Sequence, residues 1–396
     1  MRKLATWAAS FAAGIFLAQY VLPNRLLLGF SAAALALGAL ALFLREPARY
    51  RAVLIYTALS VALGYNWAFA LLVQAPAEAL AERELTAVTM VLTEYPSATA
   101  YGAKVTVCPN ISGLRGVRAV YYGDVSLLEL VPGQTVTDDL RLKGAARMQD
   151  DEVTTFTSRG VFLLAYGRGE AAYGSGSASS PRWWPARIGQ AMRENIAGLY
   201  PGEAAGFMTA ILTGDTALLS DAAGTDLSEA GIYHIMAVSG LHCSFLAAMT
   251  LALVGKKNRR TAACVAIPIL IFYALLTGAR PSVVRACVML SLVLIAPAMH
   301  REGDPPTALS FALLLILLQN PFAAASIGLQ LSFGAVAGML WLTPKLNRFL
   351  RGDRERGRAF RVVCASFSTT CGALVFTLPL SAYYFNFLVL LSPFSN

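Results

Sequence analysis

The sequence predicts a polytopic α-helical membrane protein interrupted by a small all-β domain. Three observations lead there. Of the 396 residues, 56% are hydrophobic and only 14% charged, where soluble proteins carry about 25% charge. The apolar residues gather into runs near the length of about 20 residues that crosses a hydrocarbon core, instead of recurring at helix or strand period through polar sequence. One stretch, 76–173, breaks that pattern with short β-rich pieces punctuated by Gly and Pro. Together these argue against an ordinary soluble enzyme.

The uncharged run 4–22 is followed, after Pro23, by a second run at 26–44. The first has no small-residue cleavage site, so the pair reads as an uncleaved helical hairpin and not as a signal peptide. Basic residues near membrane ends prefer the cytoplasm. With Arg2 and Lys3 inside, the hairpin returns the chain to the cytoplasm at Arg45, Arg49 and Arg51, and a span at 52–73 leads out. Residues 1–75 are thus N-terminal transmembrane helices, and 76–173 is extracytoplasmic. In it strands are expected at 87–92, 104–108, 117–122, 139–142 and 161–166, a number that suits a small barrel or sandwich.

Residues 174–204 read as a flexible Gly/Ser linker at 174–180 followed by an amphipathic segment. There Trp183, Trp184, Arg187 and Arg193 suit either a membrane-surface helix or packing against the small domain. From 205 to 396 the apolar runs resume. One span ends near Val254 ahead of Lys256, Lys257, Arg259 and Arg260. Spans at 261–278, 282–299, 307–319 and 324–342 follow, reaching the basic loop 345–361; another departs at 362, and the run 383–391 begins a further one. Each basic cluster falls on the cytoplasmic side, so topology accounts for much of the net charge of +9. Five of six cysteines lie in or beside apolar runs and only Cys108 is in the polar stretch. They read as buried thiols, without a disulfide framework or zinc spacing.

Three segments place polar groups in otherwise apolar runs. The first, 226–249, reads DLSEAGIYHIMAVSGLHCSFLAAM. Its His234 and His242 are about 80° apart on a helix and border one cavity two turns apart. Ser239 and Gly240, between them, allow close helix approach or a local break. The second, TGARPSVVR at 277–285, sets helix-interrupting Gly278 and Pro281 beside Arg280 and Arg285. An arginine at mid-bilayer costs about 2.5–3.5 kcal/mol on insertion scales. It therefore faces an anionic pathway, snorkels, or pairs with a carboxylate such as Asp226 or Glu229. The third, 319–333, has a turn at Asn320 and Pro321 and brings Gln330 into the next span, where an interhelical hydrogen bond is its simplest role.

These segments resemble the ComEC family of competence proteins. The family pattern is an OB-like extracytoplasmic domain, then a segment similar to 212–242, LTGDTALLSDAAGTDLSEAGIYHIMAVSGLH, then TGARPSVVRA at 277–286, then GLQLSF at 328–333. The resemblance extends over nearly the whole chain. It implies a polytopic α-helical membrane protein with an inserted small all-β, OB-like extracytoplasmic domain, whose helices at 205–396 form a channel for single-stranded DNA in the bacterial inner membrane. The implied path residues are His234, Ser239, Gly240, His242, Arg280, Arg285 and Gln330. The outer domain then offers Arg115, Arg118, Tyr121 and Tyr122 as DNA contacts, since single strands bind basic grooves with aromatic stacking surfaces. Partners implied are single-stranded DNA, membrane lipid, a DNA receptor and helicase of the competence machinery, and a separately encoded C-terminal half.

Many members of that family continue into further helices and a metallo-β-lactamase-like domain. This chain stops at Asn396, inside what reads as the next membrane segment, and its three histidines include none after His300. It therefore reads as a front portion, without nuclease chemistry. Competing classes are a transporter of a small anionic solute, which a broken helix with arginines also suits, and an intramembrane serine hydrolase using Ser239 with His242 or His234, which lacks a GxSxG elbow. Two histidines fall short of the usual three or four zinc ligands, so neither metal nor cofactor is expected.

Overall fold

A computed structural model describes residues 3–111, 117–148, 151–152, 154–229, 240–255, 259–299, 303–351 and 357–385. The chain divides into two compact units, residues 1–188 with 314–326, and residues 189–313 with 327–396.

In the first unit, α1 (Lys3–Tyr20), α2 (Leu27–Leu40) and α3 (Ala48–Phe69) pack through small residues. A Cβ on Gly14 would meet the Ala62 Cβ at 2.6 Å, and Ser31 donates to the Ser60 carbonyl at 2.9 Å. Such contacts hold apolar helices together where there is no water to expel. A π turn at Ala70–Gln74 carries α3 into α4 (Ala75–Ala79) and the β domain.

That domain is a closed barrel. Its strands are β1 (Glu84–Leu92), β2 (Ser97–Thr99), β3 (Gly102–Pro109), β4 (Arg118–Gly123), β5 (Thr135–Gly144), β6 (Arg147–Met148), β7 (Asp151–Glu152), β8 (Val161–Gly167) and β9 (Ala172–Gly174). The order β1-β3-β4-β8-β5 closes through pairing of β5 with β1. All barrel pairs are antiparallel except β4 with β8. This is the five-stranded Greek-key arrangement of an OB-type barrel. The barrel is made by five long strands that include all those expected from sequence. β2 pairs with β3, β9 pairs with β5, and β6 and β7 form a separate ribbon. Strand alternation sends Met90, Leu92, Val105, Val107, Ala119, Tyr121, Leu140, Leu142, Leu163 and Ala165 into the core. A bulge in β1, at Ala87 with φ +51°, is held by its amide donating to Asp139 Oδ1 at 2.8 Å.

The stretch 174–180 is not the flexible linker its composition suggests. Gly174 pairs with Thr135 in β9, Ser177 donates to the Gly133 carbonyl at 2.8 Å, and Gly133 and Gly176 take φ of +92° and +49° to permit it. Trp183 is buried against Gly133, which resolves its reading in favour of packing on the barrel, whereas Trp184 is exposed.

The barrel meets the helices of its own unit at an aromatic cluster. Phe69 of α3, Phe162 of β8 and Phe322 lie with ring centroids 5.8–6.1 Å apart. The turn 320–325 is pinned from three sides. Asn320 Nδ2 donates to the Thr157 and Ser158 carbonyls at 2.9 and 3.2 Å. Gln19 donates to the Pro321 carbonyl at 2.6 Å, and Tyr65 to the Leu318 carbonyl at 2.6 Å.

The second unit contains the remainder of α5 (Trp184–Leu199), α6 (Gly202–Thr213), α7 (Asp221–Glu229), α8 (Gly240–Val254), α9 (Arg259–Leu276), α10 (Pro281–Ala298), the start of α11 (Pro305–Gln319), α12 (Ile327–Arg351) and α13 (Arg358–Phe385). α12 and α13 form a hairpin in which Gly338 faces the Gly372 backbone and Thr343 donates to the Ser368 carbonyl at 3.2 Å. α13 runs through Pro379 to Phe385, so the first residues of the run assigned to a further span belong to this helix. The rest of that run lies outside the described residues.

Among the described residues, Asn24–Phe43, Ala48–Ala79, Ile327–Arg351 and Ala359–Phe385 are long and apolar enough to cross a membrane. Gly240–Val254, Arg260–Leu276, Ser282–Pro297 and Pro305–Gln319 are apolar but shorter. The chain is a membrane protein with a β domain between helical segments.

Candidate functional site

Three helices of the second unit converge the polar segments. α9 ends at a sharp turn, with Gly278 at φ +77° and Ala279 at φ +51°, the latter uncommon for a residue bearing a Cβ. The Ala279 amide donates back to the Ala274 carbonyl at 2.7 Å, closing the helix end. Arg280 then takes an extended conformation as N-cap, and Pro281 starts α10, a position where its missing N–H costs nothing. TGARP is therefore a helix-turn-helix joint, and Arg280 sits exposed on it.

Arg285 follows in the second turn of α10. Its guanidinium lies over the Phe333 ring of α12, 5.8 Å from the centroid. Its Nε is buried and has no hydrogen-bond partner among the described residues. No ion pair among those residues involves it, so the pairing with Asp226 is not made.

α8 packs on another face of α10, through Ala286 and Cys287, about 100° and 200° around the helix from Arg285. Gly240 lies against Ala286, where an added Cβ would sit 3.6 Å from the Ala286 Cβ. One turn on, the Cys243 and Cys287 thiols are 3.7 Å apart, and Cys287 donates to the Leu270 carbonyl of α9 at 3.3 Å. His242 is part-buried on the first turn of α8. His234 and Ser239 lie outside the described residues, as does Glu229's side chain. Gln330 accepts from the Tyr384 hydroxyl of α13 at 2.8 Å, the interhelical bond its position suggested. The described residues Gly240–His242, GARPSVVRA and GLQLSF are thus neighbours through Gly240–Ala286 and Arg285–Phe333.

The barrel divides the outer-domain residues. Tyr121 is not a DNA contact: its ring is 1% exposed in the core, and its hydroxyl donates to Asp138 Oδ2 at 2.6 Å. Burial and that carboxylate push the Tyr121 pKa well above its ordinary value. Asp138 is itself buried and also accepts from the Asp139 and Gly169 amides at 2.7 and 3.1 Å. A Cβ on Gly167 would collide with this pair.

Tyr122, one residue on, points outward. Its ring stacks on Tyr166 with centroids 5.1 Å apart and planes at 10°, and burial raises its pKa. Tyr166 was not legible as its partner, because the β4–β8 pairing joins distant segments. Arg118 is exposed at the start of β4, and Arg115 lies outside the described residues.

The competence protein family model matches residues 211–396, the region holding all three helical segments. The chain is 31% identical over 137 residues to ComE operon protein 3 of Bacillus subtilis (strain 168), covering 34% of this chain and 18% of that protein. It is 28% identical over 223 residues to competence protein ComA of Neisseria gonorrhoeae, covering 54% of this chain and 30% of that one. The chain thus spans under a third of the length of these curated relatives. No solved structure matches it.

Proposed function

We propose that the chain, whose domain at 211–396 belongs to the ComEC family of competence proteins, acts in DNA uptake as a component of the channel that carries single-stranded DNA across the bacterial inner membrane. The observation that carries this reading is Arg285 of α10, which lies over Phe333 of α12 and whose buried Nε has no partner among the described residues. A buried cationic donor left unsatisfied is costly, and in a membrane protein it marks a place where an anion or water passes. A phosphodiester backbone supplies such an anion at every nucleotide.

In this reading Arg285 contacts phosphate inside the path. Arg280, exposed on the joint, meets the strand at the path's end. Gly240 permits the close approach of α8 and α10, and His242, Gln330, His234 and Ser239 border the route. The N-terminus is cytoplasmic and the barrel extracytoplasmic, as the distribution of basic residues supports. Further partners are a DNA receptor and a helicase of the competence machinery.

The test is uptake of labelled DNA by cells lacking their own channel. They are complemented with this chain, alone and with a C-terminal half, and with an Arg280→Ala/Arg285→Ala version. Uptake restored by the chain or the pair, and abolished by the arginine changes, supports the channel. Import of small anions with no DNA uptake, in cells where the chain is correctly inserted, refutes it in favour of a solute transporter.

A further inference from the structure

Cys243 and Cys287 are 44 residues apart in sequence, yet their thiols meet between α8 and α10, 3.7 Å from sulfur to sulfur. Both are buried, at 0% and 5% exposure, among Leu270, Ala274, Val283 and Ala286. The single Cys287 proton is directed at the Leu270 carbonyl of α9, 3.3 Å away. The Cys287 sulfur is therefore left as acceptor, and the Cys243 thiol donates to it. The two sulfurs face one another and do not occupy separate apolar pockets. The remaining cysteines lie elsewhere: Cys108 in β3, Cys264 exposed on α9, and Cys364 and Cys371 on α13.

A covalent bond between the pair is within reach. Disulfide sulfurs stand about 2.05 Å apart, so these two must draw together by about 1.7 Å. The seam between the helices suits that movement. Gly240, one turn before Cys243, lies against Ala286, the residue before Cys287, and an added Cβ on Gly240 would sit 3.6 Å from the Ala286 Cβ. Small side chains at such a contact let the backbones approach. Cys243 is the fourth residue of α8 and Cys287 the seventh of α10, about 5 and 9 Å from the helix starts at 1.5 Å per residue. The other end of α8 leads to the basic cluster at 256–260, which belongs in the cytoplasm in the orientation proposed above. The thiols thus lie toward the extracytoplasmic end, on the side where disulfides form and persist.

We propose that Cys243 and Cys287 are a redox site, at which an extracytoplasmic disulfide oxidant forms a bond that ties α8 to α10 and closes the seam between them. The Cys243 thiolate, nearer the helix start, attacks one sulfur of the oxidant and releases its other half as a thiol, leaving a mixed disulfide. The Cys287 thiolate then displaces the remaining half. One sulfur–sulfur bond forms and one breaks; the two cysteines are oxidised, and the oxidant leaves as two thiols carrying the two protons. Both sulfurs are buried in the closed seam, so the oxidant reaches them only when α8 parts from α10, and the bond fixes the seam once it closes again. Helices in contact through Gly240, Ala286 and the two cysteines leave no width for a nucleic-acid strand, so the tied chain does not admit one between them. That consequence rests on the channel reading; the bond rests only on the geometry of the pair and the orientation of α8.

Membranes carrying the full chain are treated with dithiodipyridine, a small disulfide oxidant, then denatured, alkylated and digested, and linked peptides are identified by mass spectrometry. A peptide joining Cys243 to Cys287 is expected, released by dithiothreitol and absent from Cys243→Ala and from Cys287→Ala. Where one alanine variant fails to insert, the other reads the same loss. In cells complemented as above, uptake of labelled DNA falls in proportion to the fraction of chain joined, recovers on reduction, and is unaffected by the oxidant in either alanine variant. Recovery of Cys243 and Cys287 unlinked, while the exposed Cys264 is modified, overturns the redox site. A linked peptide with unchanged uptake overturns the closure and leaves the channel reading standing. Uptake by no version removes the channel reading and the closure with it, and the linked peptide still decides the bond.

Discussion

Replacing Arg285 with methionine separates what that side chain costs the fold from what it does for transport. Methionine keeps an unbranched stem against α12 but removes the guanidinium and with it the buried, unpartnered Nε. Relief of one unsatisfied buried donor is worth about 1–3 kcal/mol, at the low end here because the residue is only part-buried. Against it stands removal of the cation–π interaction with Phe333 at 5.8 Å, worth about 0.5–1 kcal/mol at a partly exposed site. The net expectation is a membrane domain as stable as the parent or about 1 kcal/mol more so, read from thermal unfolding in detergent. Transport moves the other way. A hydrogen bond to a charged group contributes about 1.5–3 kcal/mol, so a strand without its phosphate partner at this position is taken up roughly tenfold to a hundredfold less. Arg285→Lys, which keeps charge but not the forked donor geometry, falls between. A variant destabilised by more than about 2 kcal/mol, with uptake falling in proportion to the folded protein present, would show that Arg285 is a structural residue and refute the reasoning.

Three further outcomes follow from the first unit. Tyr121→Phe leaves the buried Asp138 Oδ2 without its 2.6 Å donor, and costs the barrel about 2 kcal/mol; hydrogen exchange of the β4, β5 and β8 amides should speed up by about thirtyfold, and an unchanged rate would contradict the assignment. The same tyrosine makes the barrel alkali-sensitive: its folded pKa is raised above the ordinary 10.0, so its contribution is complete below pH 10.0 and falls as pH rises beyond it, a dependence that Tyr121→Phe should remove from the pH profile. Asn320→Ala removes the two hydrogen bonds to the Thr157 and Ser158 carbonyls, and exchange should increase several-fold at 157–162 while the β3 amides are unaffected; equal acceleration throughout the barrel would point instead to global unfolding.

Much of the architecture is legible in the sequence for identifiable reasons. Val, Leu and Tyr runs bounded by Gly and Pro mark the five barrel strands to within a few residues, and Gly278 with Pro281 marks the joint between α9 and α10. Barrel closure is not legible, because the parallel β4–β8 pair joins segments separated by a long connection. The same non-local pairing hides Tyr166 as the neighbour of Tyr122. Adjacent Tyr121 and Tyr122 must face opposite sides of a strand, yet composition cannot choose which enters the core; the buried Asp138 on β5 makes that choice. Composition also misreads 174–180, where glycines serve a fixed return onto the barrel at positive φ and not flexibility. In the helical region the three polar segments are visible as exceptions to apolar runs, but their convergence depends on helix packing that only the Gly240–Ala286 and Arg285–Phe333 contacts reveal.

The central claim, that a DNA strand passes between α8, α10 and α12, is tested most directly with a strand arrested in transit. A DNA end bearing a bulky protein block is presented to cells whose copy of the chain, with any required C-terminal half, carries a photoreactive amino acid at position 242, 285 or 330, or at the exposed Leu253 as an outward-facing control. The channel account predicts cross-links to the strand from 242, 285 and 330, and none from 253. Equal labelling at 253, or labelling at none of the four while uptake proceeds, would contradict it.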